Sequence, residues 1–224
     1  KEAGFSGHFV IQLNEEIADY GVWDSTTITS GRKSAKGQKH AVGAWIKLAS
    51  DKPGKTLVKV ATSFTSIDNA RKNLASEIPE WDFNEVRQAS SDTWNQALGQ
   101  IAVKGNNEKE MVKFYSALYN AHFLPRTFSD VDGSYPRFDG DGQIMKMDHG
   151  TYYCDFSQWD TYRAVHPLFS ILNPSRNGDM AHSLVLKGQQ GGWLPIFPSW
   201  NSYTAAMIGD HCIAMIGDAI VKDT

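Results

Sequence analysis

The stretch KTLVKVATSFTSIDNARKNLASEI, residues 55–78, changes its hydrophobic period at Ser66. Before Ser66 the side chains alternate, which predicts a half-buried antiparallel strand. One face of this strand would carry Val58, Val60, Thr62 and Phe64, and the other Lys59 and Ser63. After Ser66 the apolar side chains recur at helical spacing, at Ile67, Ala70, Leu74 and Ile78. This segment therefore joins a β-rich part of the chain to a helical part.

The rest of the chain follows the same division. Short stretches rich in β-branched and aromatic residues predict strands at 7–15 and 41–50. Apolar side chains at helical spacing predict helices in the second part, at 83–101, 108–124, 158–172, 177–187 and 204–222. Strands followed by helices are typical of an α+β, multidomain chain. The predicted sheet begins in mid-strand and the last helix ends uncapped, so we expect this chain to be part of a larger protein.

The composition argues against several classes of partner. A net charge of −3 and a pI of about 6.2 leave no surplus of cations to neutralise phosphates, so nucleic acid is not an expected partner. No apolar run in the sequence reaches the roughly 20 residues that a membrane-spanning helix needs. The first residues, KEAGFSGHFVIQLNEE, lack the apolar core of a signal peptide. The aromatic content of 12% suits a large core, and also flat surfaces on which sugars or bases stack.

The two cysteines, Cys154 and Cys212, lie far apart in the sequence. They could form a disulfide or remain as buried thiols, and two cysteines are too few to indicate a redox compartment. We expect buried thiols, because free cysteine is commonly a core residue.

The stretch DFSQWDTYR, residues 155–163, places polar and aromatic residues at the predicted start of a helix. Asp155 or Ser157 could cap this helix. Asp160 and Arg163, three residues apart, could form an ion pair on one helical face. The alternative is a sugar site, in which a carboxylate accepts hydrogen bonds from hydroxyls, a guanidinium donates them and aromatic rings cover the C–H face. The residues alone leave both interpretations open.

A second polar and aromatic stretch is GQQGGWLPIFPSWNSYTAAMIGDH, residues 188–211. Gly191 and Gly192 allow the backbone to approach a ligand or another strand closely. Trp193 and Trp200 lie in a loop interrupted by prolines, where core packing alone does not explain large aromatic side chains. This loop is therefore a candidate wall of a binding pocket.

The same stretch ends with Asp210 and His211 inside a predicted helix that should begin near Asn201 or Thr204. Both residues could line the inside of a helical ring as a structural polar pair. They could instead belong to a pocket formed where this loop meets DFSQWDTYR. Such a pocket would hold tryptophan, aspartate, arginine and histidine side chains.

The stretch SDVDGSYPRFDGDGQ, residues 129–143, carries four aspartates close to glycines: Asp130, Asp132, Asp139 and Asp141. Their spacing superficially matches a calcium loop, but the terminal glutamate of that motif is missing. Asp-Gly pairs are also common in turns, so a turn is favoured over a metal site. The sequence contains no evident nucleophile elbow, phosphate loop or zinc-ligand pair.

Several motifs, taken in order, resemble glycoside hydrolase family 92, the calcium-dependent exo-acting α-mannosidases. They are FYSALYNAHFLPRTFSDVDGSYPRFDG, DFSQWDTYRAVHPLFSIL, GGWLP and MIGDHCIAMIGDAIVK, preceded by the stretch from Val58 to Leu98. The resemblance implies an N-terminal β-sandwich joined to an (α/α)6 barrel, with the active site at their junction. On this basis the C-terminal strands of the sandwich would occupy 1–68, linker helices 69–104 and the first part of the barrel 105–224.

The resemblance also implies an activity. Family members remove terminal α-mannosides from glycans such as N-glycans or mannan, with inversion and with calcium contacting the sugar. The substrate-binding residues that the resemblance implies here are Asp160, Arg163, Gly192, Trp193, Asp210 and His211. The family's acid glutamate and base aspartate have no match in this sequence. Both are expected beyond residue 224, as are the main calcium ligands, so the chain alone should be incomplete and inactive.

Two other functions remain open at this point. The chain could be a non-catalytic carbohydrate-binding module that keeps the pocket, or a helical interaction domain whose aromatic residues belong to the core. By resemblance the protein is expected to be exported, as a periplasmic, outer-surface or secreted enzyme. Its expected partners are mannose-containing glycans and the remainder of the same polypeptide.

Overall fold

The computed structural model describes residues 6–24, 27–37, 42–49, 54–138 and 140–224. The chain divides into two compact units. One unit comprises the described residues up to Val10 together with 61–79 and 84–224, and the other comprises 11–60 and 80–83. The mixed α/β character predicted from the sequence is confirmed. The predicted boundaries of sandwich, linker and barrel remain predictions.

The described part of the chain opens with strands β1 (His8–Leu13), β2 (Ile17–Asp24), β3 (Thr27–Ser30), β4 (Val42–Leu48) and β5 (Val58–Ser63). β2 lies between β3 and β4 in an antiparallel sheet, and β1 pairs with β5. Two reciprocal pairs set the register, because Gly21 faces Trp45 and Gly43 faces Trp23 across β2 and β4. Each indole covers a glycine that has no side chain of its own to pack. The sequence predicted β1, β4 and β5 but not β2 and β3.

The alternation predicted for β5 is present, but its polar face is the buried one. Val58 and Val60 are 55% and 50% exposed, whereas Lys59 and Ser63 are buried. The hydroxyl of Ser63 donates a hydrogen bond of 2.9 Å to the carboxylate of Asp130. A period of two indicates a strand, whereas the partners on each side decide which face is buried.

Three helices follow, α1 (Ile67–Glu77), α2 (Phe83–Leu98) and α3 (Glu108–Ala121), close to their predicted positions. Ser66 caps α1, since its side chain accepts a hydrogen bond of 3.0 Å from the backbone N–H of Asn69. Asn107 caps α3 in the same way through the N–H of Lys109. The change of period at Ser66 therefore coincides with a helix N-terminus.

The remaining elements are short strands and four further helices of the described chain. They are β6 (Arg126–Thr127), β7 (Ser134–Pro136), β8 (Ile144–Lys146), β9 (Tyr153–Cys154), α4 (Gln158–Thr161), α5 (Val165–Leu172), α6 (Pro174–Gly191), β10 (Pro198–Ser199), β11 (Ser202–Tyr203) and α7 (His211–Lys222). β6 pairs with β9, β7 with β8, and β10 with β11, all antiparallel.

The helix predicted at 177–187 is present as α6, which extends it at both ends, whereas two other predicted helices differ more. The helix predicted at 158–172 is divided into α4 and α5, which places Pro167 in the first turn of α5, where its missing N–H breaks no helical bond. The helix predicted at 204–222 begins only at His211. Ala205, Met207 and Gly209 all have positive φ values, which a right-handed helix does not accommodate.

The core of the larger unit lies around α5, α6 and α7. Its buried side chains are Tyr153, Phe156, Phe169, Met180, Ala181, Leu184, Cys212, Met215 and Ala219. Cys154 is buried in a neighbouring cluster, and both cysteines are free, which confirms the expectation of buried thiols. Every helix in the described part of the chain is too short or too polar to cross a lipid bilayer.

Candidate functional site

The short helix α4 presents Asp160, and the turn that follows it presents Arg163. Both side chains are exposed. The hydroxyl of Ser157 donates to the carboxylate of Asp160, whereas Arg163 donates to the backbone carbonyl of Trp159. The guanidinium carbon of Arg163 lies 4.7 Å from the centre of the Trp159 ring and 4.5 Å from that of Tyr162. The ion pair between Asp160 and Arg163, one of the two interpretations that the sequence left open, is not formed, because each charged group bonds to a different neighbour.

A stacked aromatic pair joins this turn to the start of α7. The rings of Tyr162 and His211 are parallel to within 3°, with their centres 4.2 Å apart. His211 is the first residue of α7, and Asp210 precedes it at the cap position. The carboxylate of Asp210 forms no capping bond within the described residues and is exposed. Asp210 therefore keeps its acceptor atoms available next to the stack.

The loop after α6 depends on both of its glycines. Gly192 ends α6 in the left-handed region, at a φ of 95°, which favours glycine. Gly191 is required for a different reason, since a Cβ atom there would clash with the hydroxyl of Tyr203. That hydroxyl donates a hydrogen bond of 2.6 Å to the backbone carbonyl of Trp193. Tyr203 thus holds the loop while the Trp193 side chain remains 68% exposed.

A mainly apolar cavity of ≈ 590 Å³ lies beside this loop. Trp193 and Tyr203 form an aromatic part of its wall, with ring centres 5.3 Å apart, and Asp210 supplies a carboxylate. Asp160 and Arg163 do not line this cavity. Arg163 contacts the ring of Tyr162, which stacks on His211 next to Asp210, and Asp160 lies two residues before Tyr162. The two predicted halves of the site are therefore neighbours, although the cavity itself is formed by the second half.

The buried side chains behind this region carry charge. Lys187 is fully buried and donates a hydrogen bond of 2.5 Å to the backbone carbonyl of Tyr153. Its ammonium nitrogen lies 3.6 Å from the centre of the Tyr152 ring. Burial lowers the pKa of Lys187 to about 8, because the charged form loses its hydration. Asp155 is also buried, accepts hydrogen bonds from the Ser199 hydroxyl and the Trp200 backbone N–H, and pairs with Arg126. Of the two residues suggested as the cap of α4, Ser157 occupies the cap position, without a capping hydrogen bond from its side chain, and Asp155 does not.

Sequence reasoning gave no role to Tyr162, Tyr203 or Lys187. Tyr162 and Tyr203 lie inside the quoted stretches, so their proximity to the candidate residues was a usable signal. Lys187 lies in a helix whose neighbours Leu184 and Leu186 are apolar, and a lysine there predicts a solvated position. Only the aromatic surroundings in the fold account for its burial.

The aspartates of residues 129–143 bond to protein donors. The buried carboxylate of Asp130 accepts from four side chains, those of Ser63, Thr65, Asn69 and Asn73. Asp132 pairs with Lys72 at 2.8 Å, and this hydrogen bond is the main cause that lowers the pKa of Asp132 to about 2. Arg137 pairs with Asp141 at 2.9 Å. Asp139 lies outside the described residues.

No cluster of three or more metal-ligating side chains exists in the described ranges. The acidic groups of the candidate site are Asp160 and Asp210, and neither belongs to a group of three or more acidic, histidine or cysteine side chains in the described residues. Calcium takes six to eight oxygen ligands. The residues present therefore do not by themselves fit a calcium ion, and calcium dependence remains a prediction.

Residues 69–224, which are more than half of the chain, match the family model described as the glycosyl hydrolase family 92 catalytic domain. One curated relative is an uncharacterised secreted glycosidase of Arthroderma benhamiae. It is 32% identical over 119 residues, which cover 51% of this chain and 14% of the relative.

Solved structures show the same relationship. The chain matches a family GH92 inverting mannosidase of Bacteroides thetaiotaomicron with a TM-score of 0.82 and 25% identity, over 97% of this chain and 29% of the other. It matches a family GH92 α-mannosidase of the same organism with a TM-score of 0.83 and 27% identity, over 98% and 30%. That enzyme is also known in complex with mannoimidazole. The chain thus spans less than a third of the length of these proteins, and it belongs to glycosyl hydrolase family 92.

Proposed function

We propose that this chain is the sugar-binding part of an exo-acting α-mannosidase, which hydrolyses terminal α-mannosides of N-glycans or mannan with inversion. Family membership supports the hydrolase class. The observation that carries the proposal is the arrangement of exposed Trp193 and Asp210 around one cavity, with Arg163 connected to the adjacent His211 through the ring of Tyr162. Asp160 lies two residues before Tyr162. Such a combination of flat rings, acceptors and donors is what a hexose requires.

Each residue of the site has a distinct role in this proposal. The carboxylates of Asp160 and Asp210 accept hydrogen bonds from sugar hydroxyls, and the guanidinium of Arg163 donates them. Trp193, which is 68% exposed, covers the apolar face of the ring. Gly192 lacks a side chain, and nothing lies within 4 Å of its missing Cβ position, so a sugar can approach the backbone there. His211 presents an imidazole of fixed orientation.

The cleavage step requires groups that this chain does not supply. Inversion uses a carboxylic acid and a carboxylate about 6.5–9.5 Å apart, with the attacking water between the base and the sugar. We assign both to parts of the protein outside this chain, which spans less than a third of its solved relatives. The residues of this chain bind and orient the terminal mannoside, and the chain alone should not turn it over.

The same proposal covers architecture, cofactor and location. We infer that 1–68 close an N-terminal β-sandwich, that 69–104 form the linker helices and that 105–224 begin an (α/α)6 barrel. Calcium would assist by binding the sugar, with ligands from outside this chain. Export is supported by the secreted relative of Arthroderma benhamiae.

The test uses the full-length native protein and an aryl α-mannoside. The wild type should release mannose, initially as the β-anomer in an NMR time course. Excess EDTA should abolish the activity if calcium is needed, and turnover that survives EDTA would remove calcium from the proposal.

Asp160→Ala is the test of the sugar contact. It removes a charge-assisted hydrogen bond and should raise the inhibition constant of mannoimidazole by a factor that corresponds to about 1.5–3 kcal/mol. Asp68→Ala is the matched control, because Asp68 is also an exposed aspartate in the first turn of a helix. Equal inhibition constants in both variants would contradict the sugar contact. Binding without hydrolysis in the wild type would instead support a carbohydrate-binding module.

A further inference from the structure

The side chain of Tyr162 is the contact between the two parts of the proposed sugar site. Its ring lies 4.2 Å from the His211 ring, centre to centre, and the two planes differ by only 3°. The guanidinium carbon of Arg163 lies 4.5 Å from the centre of the same Tyr162 ring. One aromatic ring therefore contacts both the guanidinium of Arg163, from the turn after α4, and the imidazole of His211, the first residue of α7.

The local backbone does not fix the orientation of the Arg163 guanidinium or of the His211 imidazole. Contacts with neighbouring side chains therefore decide these orientations. Arg163 lies between α4, which has only four residues, and α5, which begins at Val165, so no regular helix holds it. His211 stands at the end of a segment with positive φ values at Ala205, Met207 and Gly209. A Cβ atom at Gly209 would lie 2.5 Å from Nε2 of His211, so the imidazole is confined on that side as well.

We propose that Tyr162 is a positioning residue of the sugar-binding site, acting through His211 and Arg163. The proposal rests on the proposed function, since it concerns the same site. Parallel stacking sets the plane of the imidazole, and therefore the direction in which its ring nitrogens face the sugar. Contact with the Tyr162 ring restricts the orientations that the guanidinium of Arg163 can adopt, and therefore the directions in which it donates hydrogen bonds.

The alternative is that Tyr162 only contributes to packing. A packing role and a positioning role differ in their kinetic consequences. Loss of packing lowers the amount of folded enzyme, which reduces the apparent kcat and leaves KM unchanged. Loss of positioning changes the fit of the sugar, which raises KM and weakens an inhibitor that occupies the same site.

The experiment compares Tyr162→Leu, Tyr162→Phe and Tyr119→Leu in the full-length native protein. Tyr162→Leu removes the flat ring, and Tyr162→Phe keeps it. Tyr119→Leu is the matched control, because Tyr119 is a partly exposed tyrosine that packs against Trp94 on α2, with ring centres 4.4 Å apart. KM for an aryl α-mannoside, kcat, the inhibition constant of mannoimidazole and Tm are measured for each.

Tyr162→Leu should raise KM and the mannoimidazole inhibition constant together by about tenfold, because small displacements of binding groups have large kinetic effects. Tyr162→Phe and Tyr119→Leu should leave both constants within about twofold of the wild type, since neither changes the stack on His211. If Tyr162→Leu fails to fold, Tyr162→Met replaces it, as methionine fills the volume without providing a plane.

Two negative results are distinguishable. A wild-type protein that neither hydrolyses the mannoside nor binds mannoimidazole overturns the proposed function. An active wild type with an unchanged KM and inhibition constant in Tyr162→Leu or Tyr162→Met overturns the positioning role alone. A loss of affinity in Tyr162→Phe would also overturn it, because the hydroxyl rather than the ring plane would then be the group that matters.

Discussion

Gly191 and Gly192 are adjacent in the chain and are both glycine for different physical reasons. Gly192 satisfies a backbone requirement, because its φ of 95° lies where side chains are strained. Gly191 satisfies a space requirement, because the hydroxyl of Tyr203 occupies the position of its missing side chain. The sequence shows only that both are glycine, and the contact with Tyr203 separates the two reasons.

Gly191→Ala should therefore displace Tyr203 and break its hydrogen bond to the Trp193 carbonyl. We expect the free energy of unfolding to fall by about 1–3 kcal/mol, as it does when extra atoms are forced into a packed site. Denaturant unfolding measures this loss, and mannoimidazole inhibition of the full-length protein should show weaker binding. Gly105→Ala is the control, because nothing lies within 4 Å of the Cβ position there. An equally small effect of both substitutions would show that Tyr203 adapts freely.

At the scale of elements, the buried carboxylate of Asp130 holds α1 against the turn before β7. It accepts hydrogen bonds of 2.7 Å from Asn73 and 3.2 Å from Asn69, both on α1. The hydroxyl of Ser63, at the end of β5, donates to the same carboxylate. One aspartate therefore connects a strand, a helix and a turn.

Asp130→Ala should destabilise the protein by about 3 kcal/mol or more, because several buried donors lose their acceptor at once. The matched control is the neighbouring Asp132→Ala. Its partner Lys72 is 57% exposed, so solvent screens this salt bridge and its loss should cost much less stability than the loss of Asp130. Urea unfolding of both variants gives the comparison. Similar losses of unfolding free energy in the two variants would contradict the role of Asp130 in connecting β5, α1 and the turn before β7.

The ends of the helices show which sequence signals are sufficient to predict where a helix begins. α1, α2 and α3 follow their hydrophobic period, and α1 and α3 also have capping residues that predict their N-termini. The start of α7 could not be predicted in this way, because residues 204–210 have a helical hydrophobic pattern but positive φ values at Ala205 and Met207. Tertiary contacts of the loop override the local preference there.

At the scale of the whole molecule, acid should destabilise the fold through His166. This side chain is 2% exposed, and burial lowers its pKa from the ordinary 6.5 to about 4. As the pH falls below 6.5 the unfolded chain binds this proton first, so the stability contributed by neutral His166 is lost between pH 6.5 and 4. The loss should approach about 3 kcal/mol, because each unit of pKa shift corresponds to about 1.4 kcal/mol.

Urea unfolding at pH 7, 5.5 and 4.5 measures the effect, compared between the wild type and His166→Leu. The variant should lose less stability over this range than the wild type does, whereas the exposed His149→Leu should follow the wild type. If the free energy of unfolding falls equally with pH in the wild type and in His166→Leu, His166 is hydrated in the folded state.

The sequence by itself determined the division into a strand-rich part followed by helices, the buried thiols and the family, because these depend on local period, residue chemistry and motif order. The six candidate site residues come from the same motifs and remain predictions. Only the tertiary structure decided which face of β5 is buried, where α7 begins, and that Lys187 lies among aromatic rings. It also decided that Asp160 and Arg163 bond to different neighbours, and that the ring of Tyr162 contacts both Arg163 and His211. These features depend on partners distant in the chain, and a one-dimensional pattern contains the period of an element but not the identity of what packs against it.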